Sequence, residues 1–527
     1  MMNKTRKIKQ YCFLFACFIG VAVLIFIQNK VDRNNDILSN IKAKTENKFI
    51  SITWDVPTNT DINRVVIEVK DINENTLNTY EVKPYKEEFI FKDGKINNAY
   101  VFGISVFYID GTFRELATEK RLYLDMDTLP DIPIMNINTR SGDDPTAEYI
   151  YAPGNYMGST LKNNDYLEGT MSFIAYGKEI ESKLEIKLRG NSSAFNTEKK
   201  PYKIVLNNSL DLLNLGNEYS HKNWVLLKSG TTLNNYLGQA IGEGCGLEWV
   251  PHGIFVNVFL NGDYKGIYTL CEEVSQESSH GLVSENGYIF ESDAYIWDED
   301  GVYFQLDGQK FNMGYTFKYP KIEYSNDERI NMIHDYMQNA LDLALENSDD
   351  AYNYWDFDNL ASYMIAKDIV YNITDKAGAN VFYYIKDFDS NTNKDKVIKM
   401  GPLWDFDYSF AASFSGGTYA NTHGFCGQHS YKWIPIVDCD LFNQAYVNKW
   451  YEISDDVLNY LHNSLDDLYL SSCDAINQSR YLDSLRWSDD TYQTLDEEIV
   501  LAKQWIDDQI DWLNENVKEL NDVSSWG

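Results

Sequence analysis

The residues best placed to do chemistry lie between Asp375 and Asp407, where polar segments alternate with apolar runs. Asp375 and Asn380 are separated by four residues, and Asn380 opens the apolar run Val381–Tyr384. A polar turn and a second apolar run follow, and the second run leads directly into Asp405 and Asp407. Two paired strands would place Asn380 beside the following carboxylate at one end of a hairpin.

This order of side chains suits phosphoryl transfer. Asp375 would orient the attacking hydroxyl and accept its proton, while Asn380 and either Asp405 or Asp407 would hold Mg²⁺ against the phosphates. Protein kinase catalytic loops use the same order: Asp, four residues, Asn, strand–turn–strand, then a metal-binding Asp. The spacing of Asp and Asn alone is common, so the hairpin context carries the prediction.

The tetrapeptide Trp-Asp-Phe-Asp is not diagnostic by itself, because it occurs twice. The earlier copy, Trp355 to Asp358, precedes the apolar run Leu360–Val370. Asp is a favoured N-cap residue, so Asp356 or Asp358 is predicted to cap a helix. The later copy differs because it follows a predicted strand.

A second group of residues could bind phosphate. The loop Arg189-Gly190-Asn191-Ser192-Ser193 follows a predicted strand, and the strand after it carries Lys199, Lys200 and Lys203. Small residues let backbone N–H groups approach an anion, and a lysine on the next strand can neutralise phosphate charge. The alternative is an ordinary hairpin with a solvated basic edge.

A third segment is a predicted β-hairpin across the turn Asn261-Gly262-Asp263. Its second strand ends in Glu272 and Glu273. Glu272 is interpreted either as a residue at a nucleotide-binding hinge or as a surface acid.

The order of predicted elements favours an α+β fold for the main domain, because strands dominate up to about Phe317 and helices follow. The last helix is predicted to open at Thr494 with the capping-box pattern Thr494-Leu495-Asp496-Glu497. Before this domain, residues 49–127 show short apolar runs separated by turn signals, which predicts a small β-sandwich. Its Trp54-Asp55-Val56-Pro57 segment resembles an early strand of a fibronectin type III domain.

The N-terminus predicts membrane attachment. Four basic residues precede the uncharged run Tyr11–Ile27, which is near the lower length limit for a spanning helix. The basic flank favours a cytoplasmic N-terminus, so the C-terminal domains are expected outside the cytoplasmic membrane of a single-pass protein. A cleaved signal peptide is the alternative. The predicted division is an anchor at 1–30, a stalk at 31–48, the sandwich at 49–127 and the main domain at 128–527.

Composition excludes some partners and sites. The formal net charge is −33, which argues against nucleic acid because phosphate binding needs a basic face. The seven cysteines form no CxxC pair, so neither a disulfide framework nor a zinc site is expected. None of the seven histidines pairs with another at metal-ligand spacing in the sequence.

Taken together, the segments from about Leu129 to Tyr451 resemble the CotH kinase family, the atypical protein kinases of the spore coat protein H type. The matching pieces, in the family's order, are the Arg189–Ser193 loop with its lysine strand, the Trp224–Leu227 strand, the Asn261–Glu272 hairpin, the Asp375–Asn380 loop and the Pro402–Asp407 segment.

The resemblance implies an atypical protein-kinase-like fold, ATP with Mg²⁺ or Mn²⁺ as cofactors, and a coat or surface protein as substrate, phosphorylated on Ser or Thr. It implies that Asp375 is catalytic and that Asn380 with Asp405 or Asp407 binds metal. It also implies a nucleotide site with these residues: Arg189, Gly190, Ser192, Ser193, Lys200 or Lys203, and Glu272.

Two departures leave an alternative open. Ser229-Gly230-Thr231-Thr232 stands where an Asp is expected after the Trp224–Leu227 strand, and Asn234-Asn235 stands where an Arg is expected. A catalytically inactive kinase fold serving as a surface binding module is therefore the second hypothesis. A surface glycosidase is a third, which the many aromatics and carboxylates suggest and the ordered kinase-like motifs disfavour.

Overall fold

The computed structural model describes residues 37–58, 61–154, 159–195, 198–228, 233–307, 313–370, 380–406, 409, 423–425, 435–487 and 493–521. The chain divides into two compact units. The smaller comprises residues up to Leu129 with the short segments Gly262–Tyr264 and Ser484–Ser488, and the larger comprises the rest. Each unit has a hydrophobic core of its own.

The smaller unit contains two antiparallel sheets, in the orders β1-β2-β5 and β4-β3-β6-β7. Side chains of β3 and β6 alternate between buried and less buried positions, so one face of each strand packs into the core. The strands are β1 Ser39–Glu46, β2 Phe49–Asp55, β3 Ile62–Lys70, β4 Thr76–Val82, β5 Glu88–Phe91, β6 Asn98–Tyr108 and β7 Phe113–Tyr123.

Strand β1 lies inside the segment that the sequence predicted as a stalk. Its buried residues Ala43 and Thr45 recur at every second position, the period of a strand with one covered face. The polar residues between them hid this short alternation.

The larger unit begins with a closed barrel in the order β11-β12-β13-β14-β16-β15-β8. Strand β8 closes it by pairing antiparallel with β11 and parallel with β15. A two-stranded sheet, β9 with β10, accompanies it. The strands are β8 Ile134–Thr139, β9 Glu148–Tyr151, β10 Ser159–Lys162, β11 Leu167–Ala175, β12 Lys178–Leu188, β13 Tyr202–Leu210, β14 His221–Leu227, β15 Gly253–Leu260 and β16 Asp263–Glu272.

A second, five-stranded antiparallel sheet follows in the order β18-β19-β17-β20-β21. Its strands are β17 Tyr288–Asp293, β18 Tyr303–Phe304, β19 Gly314–Tyr319, β20 Val381–Ile385 and β21 Lys399–Met400. The described residues contain seven α-helices: α1 Ser192–Phe195, α2 Leu233–Gly244, α3 Glu328–Leu345, α4 Phe357–Ile369, α5 Asn393–Lys396, α6 Asp440–Trp487 and α7 Leu495–Asn516. The domain is thus mixed α+β. Strands dominate up to Tyr319 and helices dominate after it, as the sequence predicted, although α1 and α2 lie among the strands and β20 and β21 lie among the helices.

Two helix starts confirm predictions from single residues. Asp356 caps α4 by accepting a hydrogen bond from the backbone N–H of Asn359 at 2.9 Å. Thr494 and Glu497 form the predicted capping box at α7. Both caps satisfy backbone N–H groups that a first helical turn leaves without partners.

In the part of the chain that the structure describes, no helix is both long enough and apolar enough to cross a membrane. The predicted anchor, residues 1–30, lies outside the described residues.

Candidate functional site

A cavity of about 1120 Å³ lies within the larger unit. The barrel contributes Thr269 and Cys271 to its wall, and helix α2 contributes Asn235 and Gly238. The five-stranded sheet and the segments that flank it contribute acidic and basic side chains. The cavity is therefore large enough for a nucleotide-sized ligand and is lined by charged groups.

Asn380 and Asp405 meet at this cavity, as the predicted hairpin required. The Asn380 Nδ2 donates a hydrogen bond to Asp405 Oδ2 at 2.9 Å, and both residues line the cavity. Asn380 has φ 61° and Asp405 has φ 60°. Asn and Asp adopt this left-handed conformation more readily than other residues apart from glycine, so these residue types suit the two turns.

Helix α2 fixes the segment that carries Asp405. The buried Asn234 donates hydrogen bonds from Nδ2 to the carbonyl oxygens of Phe406 and Ser409 at 3.0 and 2.9 Å. Gly238 leaves room for the Phe406 ring, since a Cβ at this glycine would overlap it. Asn234, which departs from the family pattern, thus holds the segment that carries Asp405 in place.

The Arg189–Ser193 loop also lines the cavity. The Arg189 guanidinium carbon lies 5.7 Å from the centroid of the Trp404 ring, within range of a cation–π contact. Gly190 has φ 74°, and a Cβ there would overlap the Ser193 Oγ, so the tight loop requires glycine. The loop therefore brings Arg189 to the segment that carries Asp405. The side chain of Ser192 lies outside the described residues.

Three charged residues that sequence reasoning missed stand on the cavity wall: Glu291, Asp293 and Lys318. The Lys318 Nζ pairs with Glu291 Oε2 at 2.6 Å, and the other Glu291 oxygen accepts the backbone N–H of Asn380 at 3.1 Å. Glu291 thus connects the lysine to the Asn380 turn. The sequence did contain a signal: Glu291 and Asp293 are two residues apart at the end of an apolar run. In a strand this spacing puts both side chains on one face.

The two ends of this triad differ in protonation. Burial, together with the nearby Glu291 charge, raises the pKa of Asp293 to about 6. Burial opposes ionisation of Lys318 as well, but the Glu291 carboxylate outweighs it and raises the pKa of the lysine above its ordinary value. Lys318 is therefore a permanent cation of the cavity wall, whereas Asp293 takes up a proton in mild acid.

The lysines chosen from the sequence are bound elsewhere and do not line the cavity. The Lys200 Nζ donates to the carbonyl oxygen of Ala194 at 2.5 Å, and burial lowers the pKa of this lysine. The Lys203 Nζ pairs with Glu273 Oε2 at 2.7 Å. Asp375 and Asp407 lie outside the described residues.

Glu272 does not line the cavity either, although Thr269 and Cys271 on the same strand do. Its carboxylate is fully buried and is surrounded by His221, His252 and His280. Burial alone would raise the pKa of Glu272, but the nitrogens of these nearby histidines hold it well below its ordinary value. The interpretation of Glu272 as a surface acid is therefore wrong.

Comparisons with solved structures find only remote likenesses. The fn3 domain of human contactin 1 matches with 9% identity and TM-score 0.15, over 18% of this chain and 83% of that one. The twitchin kinase region of C. elegans matches with 8% identity and TM-score 0.18, over 93% and 77%. Titin kinase with its flanking domains matches with 8% identity and TM-score 0.18, over 91% and 71%. These scores are too low to carry an argument about fold or function.

Among curated proteins, no match is found. A family model described as CotH kinase protein matches residues 186–513. The match includes Arg189, Glu291, Lys318, Asn380 and Asp405, all of which line the cavity. Because it covers more than half of the chain, this protein belongs to the CotH kinase protein family.

Proposed function

We propose that the larger unit is an atypical protein kinase, which transfers the γ-phosphoryl group of ATP to Ser or Thr hydroxyls of a protein at the cell or spore surface. One observation carries the proposal above all. Asn380 and Asp405 are hydrogen-bonded to each other on the wall of a cavity that Arg189 also lines. The hairpin context predicted that Asn380 would lie beside Asp405 or Asp407.

The donor atoms fit the implied metal. Asn380 and Asp405 offer amide and carboxylate oxygens, the ligands that Mg²⁺ and Mn²⁺ take in proteins. When bound, the ion neutralises negative charge on the nucleotide phosphates. Glu291 keeps Asn380 oriented through its backbone N–H, and Asn234 keeps the Asp405 segment in place. Asp407 stays in the proposal as the other candidate ligand.

The phosphate-binding cations are proposed from the cavity wall. Arg189 and the backbone of its loop would cover the phosphates, with Ser193 beside them. Lys318 lines the cavity whereas Lys200 and Lys203 do not, so Lys318 is the better candidate for the nucleotide lysine. Thr269 and Cys271 would border the adenine, with Glu272 behind them.

The catalytic step would need a group that takes the proton of the acceptor hydroxyl. Asp375, separated from Asn380 by four residues, is proposed for this role. The acceptor would be a protein of the cell or spore surface, which the protein would reach if its first 30 residues anchor it in the cell membrane.

One observation favours the second hypothesis, an inactive kinase fold that serves as a binding module. The two lysines predicted from the sequence, Lys200 and Lys203, are bound elsewhere and do not line the cavity. A site of this kind could bind a surface protein without turnover.

The test uses the full chain in mild detergent, with γ-³³P-labelled ATP, Mg²⁺ or Mn²⁺, and a basic Ser-rich protein as acceptor. We expect label in the acceptor, and a loss of at least about 100-fold in Asp375→Asn. Asp405→Asn should lose both transfer and the metal-dependent rise in Tm caused by ATP. The matched control is Asp389→Asn, which removes an exposed carboxylate from the β20–β21 turn and should behave as the wild type.

The outcomes separate the hypotheses. A metal-dependent rise in Tm with ATP, but no transfer to any acceptor or to the protein itself, would favour the binding module. If the protein is folded but its Tm does not change on adding ATP with Mg²⁺ or with Mn²⁺, the proposed nucleotide site is excluded.

A further inference from the structure

A second cluster of ligand-type side chains lies behind the cavity wall. His221 opens strand β14, Glu272 ends strand β16, and His280 follows a short turn after it. The Glu272 Oε1 lies 2.5 Å from the His221 Nε2 and 3.2 Å from the His280 Nε2. Each residue offers one ligand atom, and these three atoms all lie within 4.8 Å of one another.

The orientation of the His280 ring suits a metal ligand. Its Nδ1 lies 3.0 Å from the main-chain oxygen of Glu218, which only accepts hydrogen bonds, so Nδ1 carries the hydrogen. With Nδ1 so engaged, Nε2 is the ring nitrogen that faces Glu272 Oε1, at 3.2 Å, and it is the nitrogen left to bind a metal. A histidine that donates one ring N–H to a carbonyl while its other nitrogen binds metal is the usual arrangement in metal sites.

The second oxygen of Glu272 is held from the opposite side. Glu272 Oε2 accepts the backbone N–H of His252 at 2.8 Å and lies 3.3 Å from the His252 Nδ1. His252 Nε2 in turn lies 3.4 Å from Glu243 Oε1. These contacts orient the carboxylate so that Oε1 faces His221 and His280, as supporting residues do in metal centres.

Burial supports the same interpretation. Glu272 is 0% exposed and His221 is 2% exposed. The His280 Nε2, which faces Glu272 Oε1, is buried and has no hydrogen-bond partner among the described residues. Buried polar atoms are nearly always satisfied, so such atoms in a ligand cluster indicate a group that belongs there.

We infer that His221, Glu272 and His280 bind one divalent transition-metal ion of the class that imidazole nitrogen prefers, with Zn²⁺ as the leading member. Two imidazoles and a carboxylate form a common protein set for Zn²⁺, with a fourth position left for water or another ligand. The site goes beyond the proposed kinase activity and does not depend on it. Bound there, the ion would stiffen the end of strand β16, whose Thr269 and Cys271 line the cavity.

The test is a metal titration of the full chain in mild detergent, after chelator treatment and dialysis. With Zn²⁺ alone, we expect about one ion per chain by elemental analysis and a rise in Tm. Co²⁺ alone should produce visible absorption bands of a site with nitrogen ligands. His280→Gln should weaken Zn²⁺ binding by at least about tenfold.

The matched control is His334→Gln, since His334 is partly exposed and lies outside the cluster beside Asp335. It should bind Zn²⁺ as the wild type does. The inference is overturned if folded wild-type protein neither retains Zn²⁺ nor gains Tm from it, because the cluster is then a metal-free ion network. It is equally overturned if His280→Gln binds Zn²⁺ with wild-type affinity. Because no nucleotide is present, failure of the kinase proposal leaves this result unaffected.

Discussion

Two carboxylates at strand ends, Asp405 and Glu272, have opposite surroundings. Asp405 lines the open cavity and has the Asn380 amide as its neighbour. Glu272 is fully buried, and imidazole nitrogens surround it. The first arrangement suits a hard cation that exchanges with a ligand in the cavity, whereas the second suits a permanently held charge. Residue type is therefore a weaker guide to role than the neighbours the fold supplies.

The largest expected effect tests this contrast through stability. Glu272→Gln removes the buried carboxylate charge that the surrounding histidine nitrogens contact. The expected loss in the free energy of unfolding is about 3–5 kcal/mol. Asp405→Asn, which keeps the shape and tolerates the left-handed backbone, should change the free energy of unfolding by less than about 1 kcal/mol. Both are measured by urea unfolding followed by circular dichroism. Equal losses in the two variants would remove the distinction between the two carboxylates.

The same contrast explains what the sequence could predict. Asn380 and Asp405 belong to one hairpin, so their meeting follows from local pairing and needs no knowledge of the rest of the fold. The Glu272 cluster draws on β14, on the residues before β15 and on the turn after β16. Their neighbourhood depends on the order of strands in the closed barrel, which no spacing in the sequence encodes.

Charged residues in buried strands were missed for a related reason. Strand β17 is buried at every position, so Glu291 and Asp293 show no alternation that marks a functional face. Lys200 and Lys203, predicted because they follow a small-residue loop, do not line the cavity. Lys200 precedes strand β13 and Lys203 lies on it, and local sequence order does not determine which way a side chain of a closed barrel faces. The helix caps, and the concentration of strands in the first part of the domain and helices in the later part, were predictable because they depend on short segments of sequence.

Asp293 offers a second test of the cavity that Asp405 lines. Burial and the charge of Glu291 raise the pKa of Asp293 to about 6 from an ordinary 3.8. Protonated Asp293 is the form that the folded protein favours, so ionisation costs stability. The cost is absent below about pH 4, grows between pH 4 and 6, and is complete above pH 6. Asp293→Asn should therefore raise the free energy of unfolding by about 3 kcal/mol at pH 8, with little change at pH 4.

The measurement is urea unfolding of wild type and Asp293→Asn at both pH values. Asp389→Asn controls for the loss of one negative charge at an exposed site. A gain at pH 8 would mean that the cavity keeps an ionised acid at the expense of stability, as functional sites do. A gain of the same size at pH 4 would contradict the assigned cause.

The smallest expected effect on stability comes from a substitution in helix α2, which positions the segment that carries Asp405. In Gly238→Ala the new methyl group would overlap the Phe406 ring, so Phe406 and the adjoining Asp405 must shift. Overpacking costs about 1–3 kcal/mol, and the better helix propensity of alanine returns about 1 kcal/mol. We expect a net loss of up to about 2 kcal/mol in the free energy of unfolding.

The control is Gly242→Ala, one turn further along the same helix. Its nearest neighbour, the Val250 Cγ2, lies 3.1 Å from where the new methyl would stand, so a small adjustment suffices and stability should hardly change. If the Asp405 site depends on this packing, Gly238→Ala should also lose most of the metal-dependent rise in Tm with ATP, whereas Gly242→Ala should keep it. The histidine cluster contacts helix α2 through His252 and Glu243. The atoms nearest to the two new methyl groups belong to other residues, so Zn²⁺ binding should survive in both variants. Loss of Zn²⁺ binding in Gly238→Ala would show that the packing of helix α2 positions both Asp405 and the histidine cluster. The two carboxylates would then differ in the chemistry of their ligands and not in what positions them.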